Sequence, residues 1–247
     1  MSEVLVLCYH AVSQAWPAAL SVTPEALERQ LGYLVRRGWR GATFREAVLR
    51  PSHPRTIAVT FDDAYSSVKE YAVPILTSLG LPATVFAAST CVSSEQRLSF
   101  EGVEHWQETP YADELLPMSW EDLGSLAEGG WEIGSHSRTH PHLPRLDEQD
   151  LKIELEGSRE EVSIRLGGVC DTIAYPYGDV DDRVAAAAER AGYLAGASLS
   201  SQLTPRGALR WPRVGIYHVD KRAWRFRLKV ARPVRQLRAT PLWRRLG

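Results

Sequence analysis

The strongest constraint on the fold of this chain is a regular alternation of strand-like and helix-like segments. About seven short apolar runs, each suited to a buried strand, are separated by segments with helical spacing of apolar residues. No internal linker or sequence repeat interrupts this alternation over the 247 residues. The pattern predicts an α/β fold with a parallel sheet, either a barrel or a doubly wound sheet.

Individual element boundaries are marked by local signals. Thr23-Pro24-Glu25 supplies an N-cap, a proline at the first helical position and an early acid, and so predicts the start of a helix. A helix is also predicted from about residue 66 to 79, where Pro74 is expected to bend it or break it in two. The last two strands are predicted at residues 193–197 and 211–216.

Conspicuous polar residues follow several predicted strands at the point where each strand ends. They are His10, Asp62-Asp63, the stretch from His136 to His140, and Pro176-Tyr177-Gly178. In a parallel barrel the carboxyl ends of the strands meet on one face, and that face carries the active site. The coincidence favours a barrel with one shared site.

Thr60-Phe61-Asp62-Asp63 closes one of these strands with two adjacent carboxylates. Such a pair at the end of a buried strand is costly unless the site requires negative charge. Neighbouring residues of an extended chain point to opposite faces, so we expect different roles for Asp62 and Asp63, one in metal binding and one in proton transfer. The alternative is an Asp pair that only caps the following helix.

His136 and His140 are four positions apart, a separation that lets two imidazoles reach one ion. Together with Asp63 they make two histidines and one carboxylate, the composition of catalytic zinc sites. A chance His-x-x-x-His pair is common, so the pair alone does not establish a metal site. His142 lies off this spacing and is interpreted as a solvated loop residue.

Composition and charge limit the classes of partner. The last 27 residues carry ten Lys or Arg and no acid, so the other 19 basic and 30 acidic residues give residues 1–220 a net charge of −11. An acidic body argues against a general nucleic-acid binder. The N-terminus has no signal-peptide pattern, and the three cysteines, Cys8, Cys91 and Cys170, form no CxxC motif. Reduced thiols and a cytoplasmic location are expected.

Three motifs carry a family resemblance. Thr60-Phe61-Asp62-Asp63, His136-Ser137-Arg138-Thr139-His140 and Tyr175-Pro176-Tyr177-Gly178 resemble, in order and separation, the first three motifs of the polysaccharide deacetylase (NodB-type, carbohydrate esterase) family. Tyr9-His10 is similar to the end of the first strand in many bacterial members. The resemblance covers roughly residues 4–217 and implies a distorted (β/α)7 TIM-like barrel.

The resemblance also implies residue roles. Asp63, His136 and His140 would bind a divalent metal, most often zinc, and Asp62 would be the base that takes a proton from the metal-activated water. The backbone N–H of Tyr177, in a turn allowed by Pro176 and Gly178, would help to stabilise the oxyanion.

This sequence departs from the family pattern at two places. Many members have an arginine where this chain has Ala174, and we predict that Arg213 contacts Asp62 in its stead. The late histidine motif is poorly matched. Two candidates for the general acid are His218, with a surface histidine as the alternative, and His10, with a buried structural histidine as the alternative.

Two further segments have open interpretations. Residues 89–117 form a long loop that we expect in the substrate groove, where Trp106 and Tyr111 would stack on sugars or simply pack within the loop. Residues 221–247 are predicted as a basic extension to a catalytic barrel of residues 1–220. Trp224 and Leu228, with the resumed pattern at 242–246, are typical of an interfacial helix on anionic lipid or of a helix packed on the acidic body.

The function implied by the resemblance is metal-dependent removal of an N-acetyl group from an amino sugar of a glycan or glycan precursor. Deformylation or deacylation of a lipid-linked amino sugar and O-acetyl ester hydrolysis are alternatives, because the same attack by water serves each. A glycan-binding module with weakened catalysis is a further alternative. The expected partner is an acetylated glycan, with peripheral membrane contact through the basic extension.

Overall fold

A computed structural model describes residues 3–93, 96–199, 203, 205 and 207–240. The strands are β1 (Glu3–Tyr9), β2 (Ala11–Val12), β3 (Ser21–Val22), β4 (Arg40–Ala42), β5 (Arg55–Asp62), β6 (Ala83–Ala87), β7 (Glu132–Ser135), β8 (Thr172–Ala174), β9 (Ala195–Ser198), β10 (Trp211–Pro212) and β11 (Val214–Gly215). The helices are α1 (Pro24–Arg36), α2 (Phe44–Leu49), α3 (Val73–Leu79), α4 (Trp120–Glu128), α5 (Glu148–Leu166), α6 (Asp182–Arg190), α7 (Ala223–Val230) and α8 (Arg232–Arg238).

The main sheet is parallel throughout and forms a nearly closed barrel, which confirms the predicted α/β barrel. Its strand order is β10-β9-β8-β7-β6-β5-β1-β11, and β4 pairs with the first half of β5. A two-stranded sheet of β2 and β3 lies beside the end of β1. The predicted strand at 193–197 is observed two residues later, at Ala195–Ser198, because the Tyr193 N–H still bonds to Ala188 at the end of α6.

The barrel closes at Arg213. The predicted strand at 211–216 is in fact two short strands on opposite edges of the sheet, with β10 paired to β9 and β11 paired to β1. Arg213 lies between them, and its backbone N–H donates to Ser198 of β9 at 3.0 Å. Arg213 therefore joins the two edges of the sheet, and its side chain extends from the point where the barrel closes. Counting β10 and β11 as one interrupted strand gives seven strands around the barrel.

Side chains of β5 alternate between the barrel interior and the surrounding helices. Ile57, Val59 and Phe61 belong to the large apolar core under the helices, whereas Ala58 belongs to a second, smaller core. This small core also contains Phe44 of α2, whose ring meets Phe86 of β6 edge-on at 5.5 Å. Thr60 and Asp62 share the parity of Ala58, so the strand delivers Asp62 toward the barrel interior.

Helices fill the connections between strands much as their capping signals predict. Thr23 accepts a hydrogen bond from Ala26 at the start of α1, and Ser119 and Asp122 form a reciprocal capping box at the start of α4. The segment around Pro74 is broken, as predicted: a π-helical turn, Val68–Ala72, precedes α3. Short 3-10 turns complete the chain at Glu104–Trp106, Ala112–Leu115, Leu143–Arg145, Pro176–Gly178, Ala208–Arg210 and His218–Lys221.

The basic extension begins with α7 and α8. Phe226 and Val230 of α7 are buried against the barrel, and the Phe226 ring meets Tyr33 of α1 edge-on. The proposed boundary at residue 220 stays a prediction, and the resumed pattern at 242–246 lies outside the described residues. Within the part of the chain that the structure describes, no helix combines the length and apolarity needed to cross a bilayer.

Candidate active site

Asp62 and Arg213 form a buried, bidentate ion pair at the carboxyl end of β5. Arg213 Nη1 lies 2.6 Å from Asp62 Oδ1, and Nη2 lies 2.7 Å from Oδ2. A further bond joins Arg213 Nη1 to Thr60 Oγ1 at 3.0 Å. Burial by itself would raise the pKa of Asp62, but the charge of Arg213, aided by nearby histidines, lowers it to about 2. The predicted contact is present, and Asp62 is held as a carboxylate in one orientation.

The direction of the Asp63 side chain is set by its backbone angles and not by the alternation of side chains along a strand. The strand ends at Asp62, and Asp63 and Ala64 both adopt left-handed backbone angles, with φ of 68° and 55°. The expectation that Asp62 and Asp63 point to opposite faces of an extended strand is therefore wrong, because Asp63 lies beyond the end of the strand. Both carboxylates reach the same imidazole, since His136 Nε2 lies 4.0 Å from Asp62 Oδ2 and 3.4 Å from Asp63 Oδ1.

Asp63, His136 and His140 form a metal-type cluster. His140 Nε2 lies 3.3 Å from Asp63 Oδ1, and one ligand atom from each of the three residues lies within 4.8 Å of the other two. Asp63 Oδ1 is buried and makes no hydrogen bond within the described structure. Tetrahedral ligands about 2.0–2.1 Å from zinc lie about 3.4 Å from one another. The cluster thus fits a divalent cation, while its geometry does not identify the metal.

The orientation of His136 is fixed by a backbone carbonyl. Its Nδ1 lies 2.7 Å from the oxygen of Ala174, at the end of β8. A carbonyl oxygen only accepts, so Nδ1 carries a proton and Nε2 is the ring nitrogen that faces Asp63. Ala174 has no polar side chain, yet its backbone carbonyl orients a residue of the cluster.

Glu154 of α5 fixes the backbone between His136 and His140 by hydrogen bonds. Its carboxylate accepts hydrogen bonds from the backbone N–H groups of Arg138 and Thr139, both at 2.8 Å, and from the Thr139 hydroxyl at 2.6 Å. Sequence reasoning missed this residue. A detectable signal existed, because Glu154 is an acid between Leu151 and Leu155 on the buried face of α5.

His10 lies beside Asp62, whereas His218 lies beside Lys221. Ligand atoms of His10, Cys8 and Asp62 lie within 4.8 Å of one another, and the Cys8 thiol donates to Asp62 Oδ2 at 3.4 Å. Burial lowers the pKa of His10, although Asp63 and Asp62 oppose that shift. His218 Nε2 lies 2.8 Å from Lys221 Nζ. In the described ranges no hydrogen bond or ion pair links His218 to the Asp62 or Asp63 carboxylates.

The turn after β8 places Tyr177 against the cluster. Tyr177 has a φ of 59°, and the Gly178 N–H bonds back to Tyr175 at 2.8 Å. The Tyr177 ring meets His140 edge-on at 4.7 Å. Gly178 has a φ of 71°, and a Cβ there would lie 2.5 Å from the backbone nitrogen of Leu199, so only glycine fits this turn. Pro176 is buried at the start of the same turn.

His142 lies in a loop, as expected, but its side chain is only 19% exposed, so the interpretation of this residue as solvated is wrong. The ring stacks on Tyr177 with centroids 3.9 Å apart. Its two nitrogens lie 3.3 Å from Glu101 and from Asp179. The sequence gives no spacing signal for this arrangement, because Glu101 comes from the long loop and Asp179 from the turn after Gly178.

Trp106 and Tyr111 of the long loop are only partly buried and pack on each other edge-on at 5.7 Å. Trp106 also meets the buried ring of Trp16 at 5.7 Å. A role in sugar stacking stays a prediction for both.

Comparison with known proteins identifies the family. Residues 50–196, more than half of the 247-residue chain, match the family described as polysaccharide deacetylase. The chain belongs to this family. The match covers β5 with Asp62, the following Asp63, the two cluster histidines and the turn at Tyr177, whereas His10 and Arg213 lie outside it.

Individual polysaccharide deacetylases show the extent of the likeness. YxkH of Bacillus subtilis, assigned to this family by name, is 25% identical over 201 residues, which make up 79% of this chain and 64% of YxkH. The chain therefore spans less than two thirds of that relative's length.

Two solved structures resemble the barrel. BA0330 of Bacillus anthracis, assigned to the polysaccharide deacetylases, has a TM-score of 0.75 at 24% identity and covers 93% of this chain and 69% of its own. The deacetylase PplD of Streptococcus pyogenes, solved with acetate, has a TM-score of 0.71 at 20% identity and covers 87% of this chain and 92% of its own. At these identities the two structures support the fold alone.

Proposed function

We propose that this chain is a metal-dependent hydrolase that removes an N-acetyl group from an amino sugar of a glycan or glycan precursor. One observation carries the proposal: a buried Asp62 carboxylate, held by Arg213, lies next to the metal-type cluster of Asp63, His136 and His140. A base beside an open cation site is the arrangement that hydrolytic attack by water requires.

Asp63, His136 and His140 would hold the cation, which we propose to be zinc. When bound, such a cation polarises the acyl carbonyl and makes a coordinated water acidic. Asp62 accepts the proton of the attacking water. It remains ionised at neutral pH because the pKa lowering by Arg213 exceeds the effect of burial. Arg213 also stops the carboxylate from rotating, since it engages both oxygens.

His10 is our proposed general acid for the departing amine: burial lowers its pKa, but the carboxylates of Asp63 and Asp62 oppose that shift and favour the protonated imidazole that an acid requires. His10 lies within the group that contains Asp62, and its Nδ1 is buried without a hydrogen bond in the described structure. His218 is less suited, because a lysine ammonium 2.8 Å from its Nε2 occupies that ring nitrogen. The backbone N–H of Tyr177 is our proposed donor to the oxyanion, in the turn set by Pro176 and Gly178.

The decisive experiment measures acetate released from N-acetylglucosamine oligomers by the purified chain loaded with zinc. We expect release that disappears in the Asp62→Asn variant. An O-acetylated xylan and an N-formylated, lipid-linked amino sugar are tested alongside. Faster release from either of these would assign the corresponding alternative. Metal binding without acyl release from any of the three would favour the glycan-binding module.

A lipid-linked substrate is the second candidate, and a surface on the basic extension favours it. Trp224 and Leu228, one helical turn apart, are 59% and 55% exposed on the outer face of α7, while Phe226 and Val230 face the barrel. Arg225 and Arg227 flank them, and the extension carries no acid. Exposed apolar side chains among basic ones suit the headgroup region of an anionic bilayer, where each basic residue contributes about 1 kcal/mol.

We propose peripheral contact of this surface with anionic lipid at the cytoplasmic membrane face. Co-sedimentation with phosphatidylserine-containing vesicles should decrease when Trp224 and Leu228 are both changed to Ala. The matched control changes Ile153 and Ile164 of α5, which are 46% and 71% exposed. Equal sedimentation of both double variants and the wild type would contradict the contact.

A further inference from the structure

His140 is positioned differently from the other histidine of the cluster. Its Nε2 faces Asp63, while its Nδ1 is buried and makes no hydrogen bond in the described structure. A metal-binding histidine usually donates its second ring N–H to a carboxylate or carbonyl, as His136 does to Ala174. Something other than a hydrogen bond must therefore set the orientation of the His140 ring.

Aromatic rings enclose His140 instead. The Phe100 ring stacks on it with centroids 4.0 Å apart and an angle of 26° between the planes. Tyr177 meets it edge-on at 4.7 Å, and His136 does so at 4.8 Å. Of these three rings, only Phe100 lies nearly parallel to the imidazole, so it is the ring contact that restricts rotation of the His140 side chain about its Cβ–Cγ bond.

Phe100 comes from the long loop, far from the histidine motif in sequence. The loop is anchored nearby, because Leu98 is buried and its N–H bonds to Leu115 at 2.8 Å. The next residue after Phe100 makes a second contact, two positions beyond the end of the histidine motif: Glu101 lies 3.3 Å from His142. Two consecutive loop residues thus contact His140 and His142, two residues apart in sequence.

We propose that Phe100 is a positioning residue for His140, and that docking of the loop at residues 97–117 and binding of the metal stabilise each other. The inference rests on the proposed metal site. If the stacked ring holds His140 in its binding orientation, then the bound metal must in turn hold the loop, because coupling between two equilibria is reciprocal. The loop is then part of the metal site and not only a wall of the groove.

The first test is the zinc dissociation constant, measured by competition with a chromogenic chelator. Phe100→Ala should weaken zinc binding about tenfold, at the lower end of the range for residues that orient metal ligands. Phe100→Tyr retains the ring and should restore binding to within about twofold of the wild type. The control is Arg97→Ala, which removes an ion pair with Asp113 in the same loop without touching His140.

The second test is hydrogen exchange of the unmodified protein with and without zinc. Zinc should slow exchange in residues 97–117, and the effect should shrink in Phe100→Ala. Zinc binding by the wild type with no change in loop exchange would overturn the proposal, as would an unchanged dissociation constant in Phe100→Ala. If Phe100→Ala does not fold, Phe100→Leu replaces it, with weaker zinc binding expected. A wild type that binds no divalent metal would instead contradict the proposed function.

Discussion

Arg213 binds both carboxylate oxygens of Asp62 from the one residue that joins the two edges of the barrel. The guanidinium is fully buried, and its position depends on two pairings, β10 with β9 and β11 with β1. The residue at which the barrel closes therefore also orients the proposed base. In this chain the arginine that holds the proposed base comes from between β10 and β11, while the residue before the third motif's Tyr175 is Ala174.

Replacing Arg213 by Lys should lower kcat roughly 10- to 100-fold, which corresponds to about 1.4–2.7 kcal/mol in the barrier. Lysine keeps the charge but cannot form the two parallel bonds that fix the carboxylate. Steady-state acetate release measures the effect. Arg210→Lys is the control, since Arg210 pairs with Asp182 at the surface. Equal turnover of both variants would show that the bidentate geometry has no role.

Arg213→Met should move the acidic limb of the kcat/KM profile to higher pH. In the wild type the pKa of Asp62 is about 2, because Arg213 outweighs a burial effect that raises it. Without the guanidinium, burial prevails, and Asp62 becomes protonated and inactive at a higher pH than before. Profiles measured on the zinc-loaded proteins test this, and an acidic limb at the wild-type position would contradict it.

His10→Ala should lose most of its turnover while retaining zinc, whereas His218→Ala should stay close to the wild type. The reason is position: His10 lies in the group containing Asp62, and His218 contacts Lys221. A general acid contributes typically 10²- to 10⁴-fold. Turnover and metal content are measured on the same preparations. The reverse ranking of the two variants would assign the acid to His218.

Much of this site was predictable because local rules determine it. The Asp62-Asp63 pair, the His136–His140 spacing and the strand ends give the cluster, and strand–helix alternation gives the barrel. The contact between Arg213 and Asp62 was also predicted.

What the sequence could not show depends on long-range placement. Nothing in the segment 211–216 indicates that its two halves pair with opposite edges of the sheet. The left-handed backbone at Asp63 could not be predicted either, because no sequence pattern marks an aspartate with a φ of 68°. Phe100 and Glu101 reach His140 and His142 only because the long loop packs against this segment. These contacts join segments some 40 residues apart, and local periodicity carries no information about them.

Gly178→Ala should destabilise the fold and lower activity, because both a left-handed φ and a backbone contact oppose a side chain there. Its new Cβ would lie 2.5 Å from the Leu199 nitrogen. Gly167→Ala is a matched control with a φ of 64° and no atom within 4 Å. In the control, the free energy of unfolding should fall only by the backbone strain, about 1–2 kcal/mol. Thermal unfolding compares the two, and equal losses would show that the Leu199 contact relaxes freely.

The central claim is that one cation bound by Asp63, His136 and His140 works with Asp62 as the base. Its most direct test measures zinc content and acetate release together, for the wild type and for Asp62→Asn, after metal removal and stepwise addition of zinc. We predict that acetate release by the wild type rises in proportion to bound zinc up to one ion per chain. Asp62→Asn should bind zinc equally while its turnover falls by about 10²- to 10⁴-fold. Wild-type turnover in Asp62→Asn, or release that does not depend on zinc, would contradict the account.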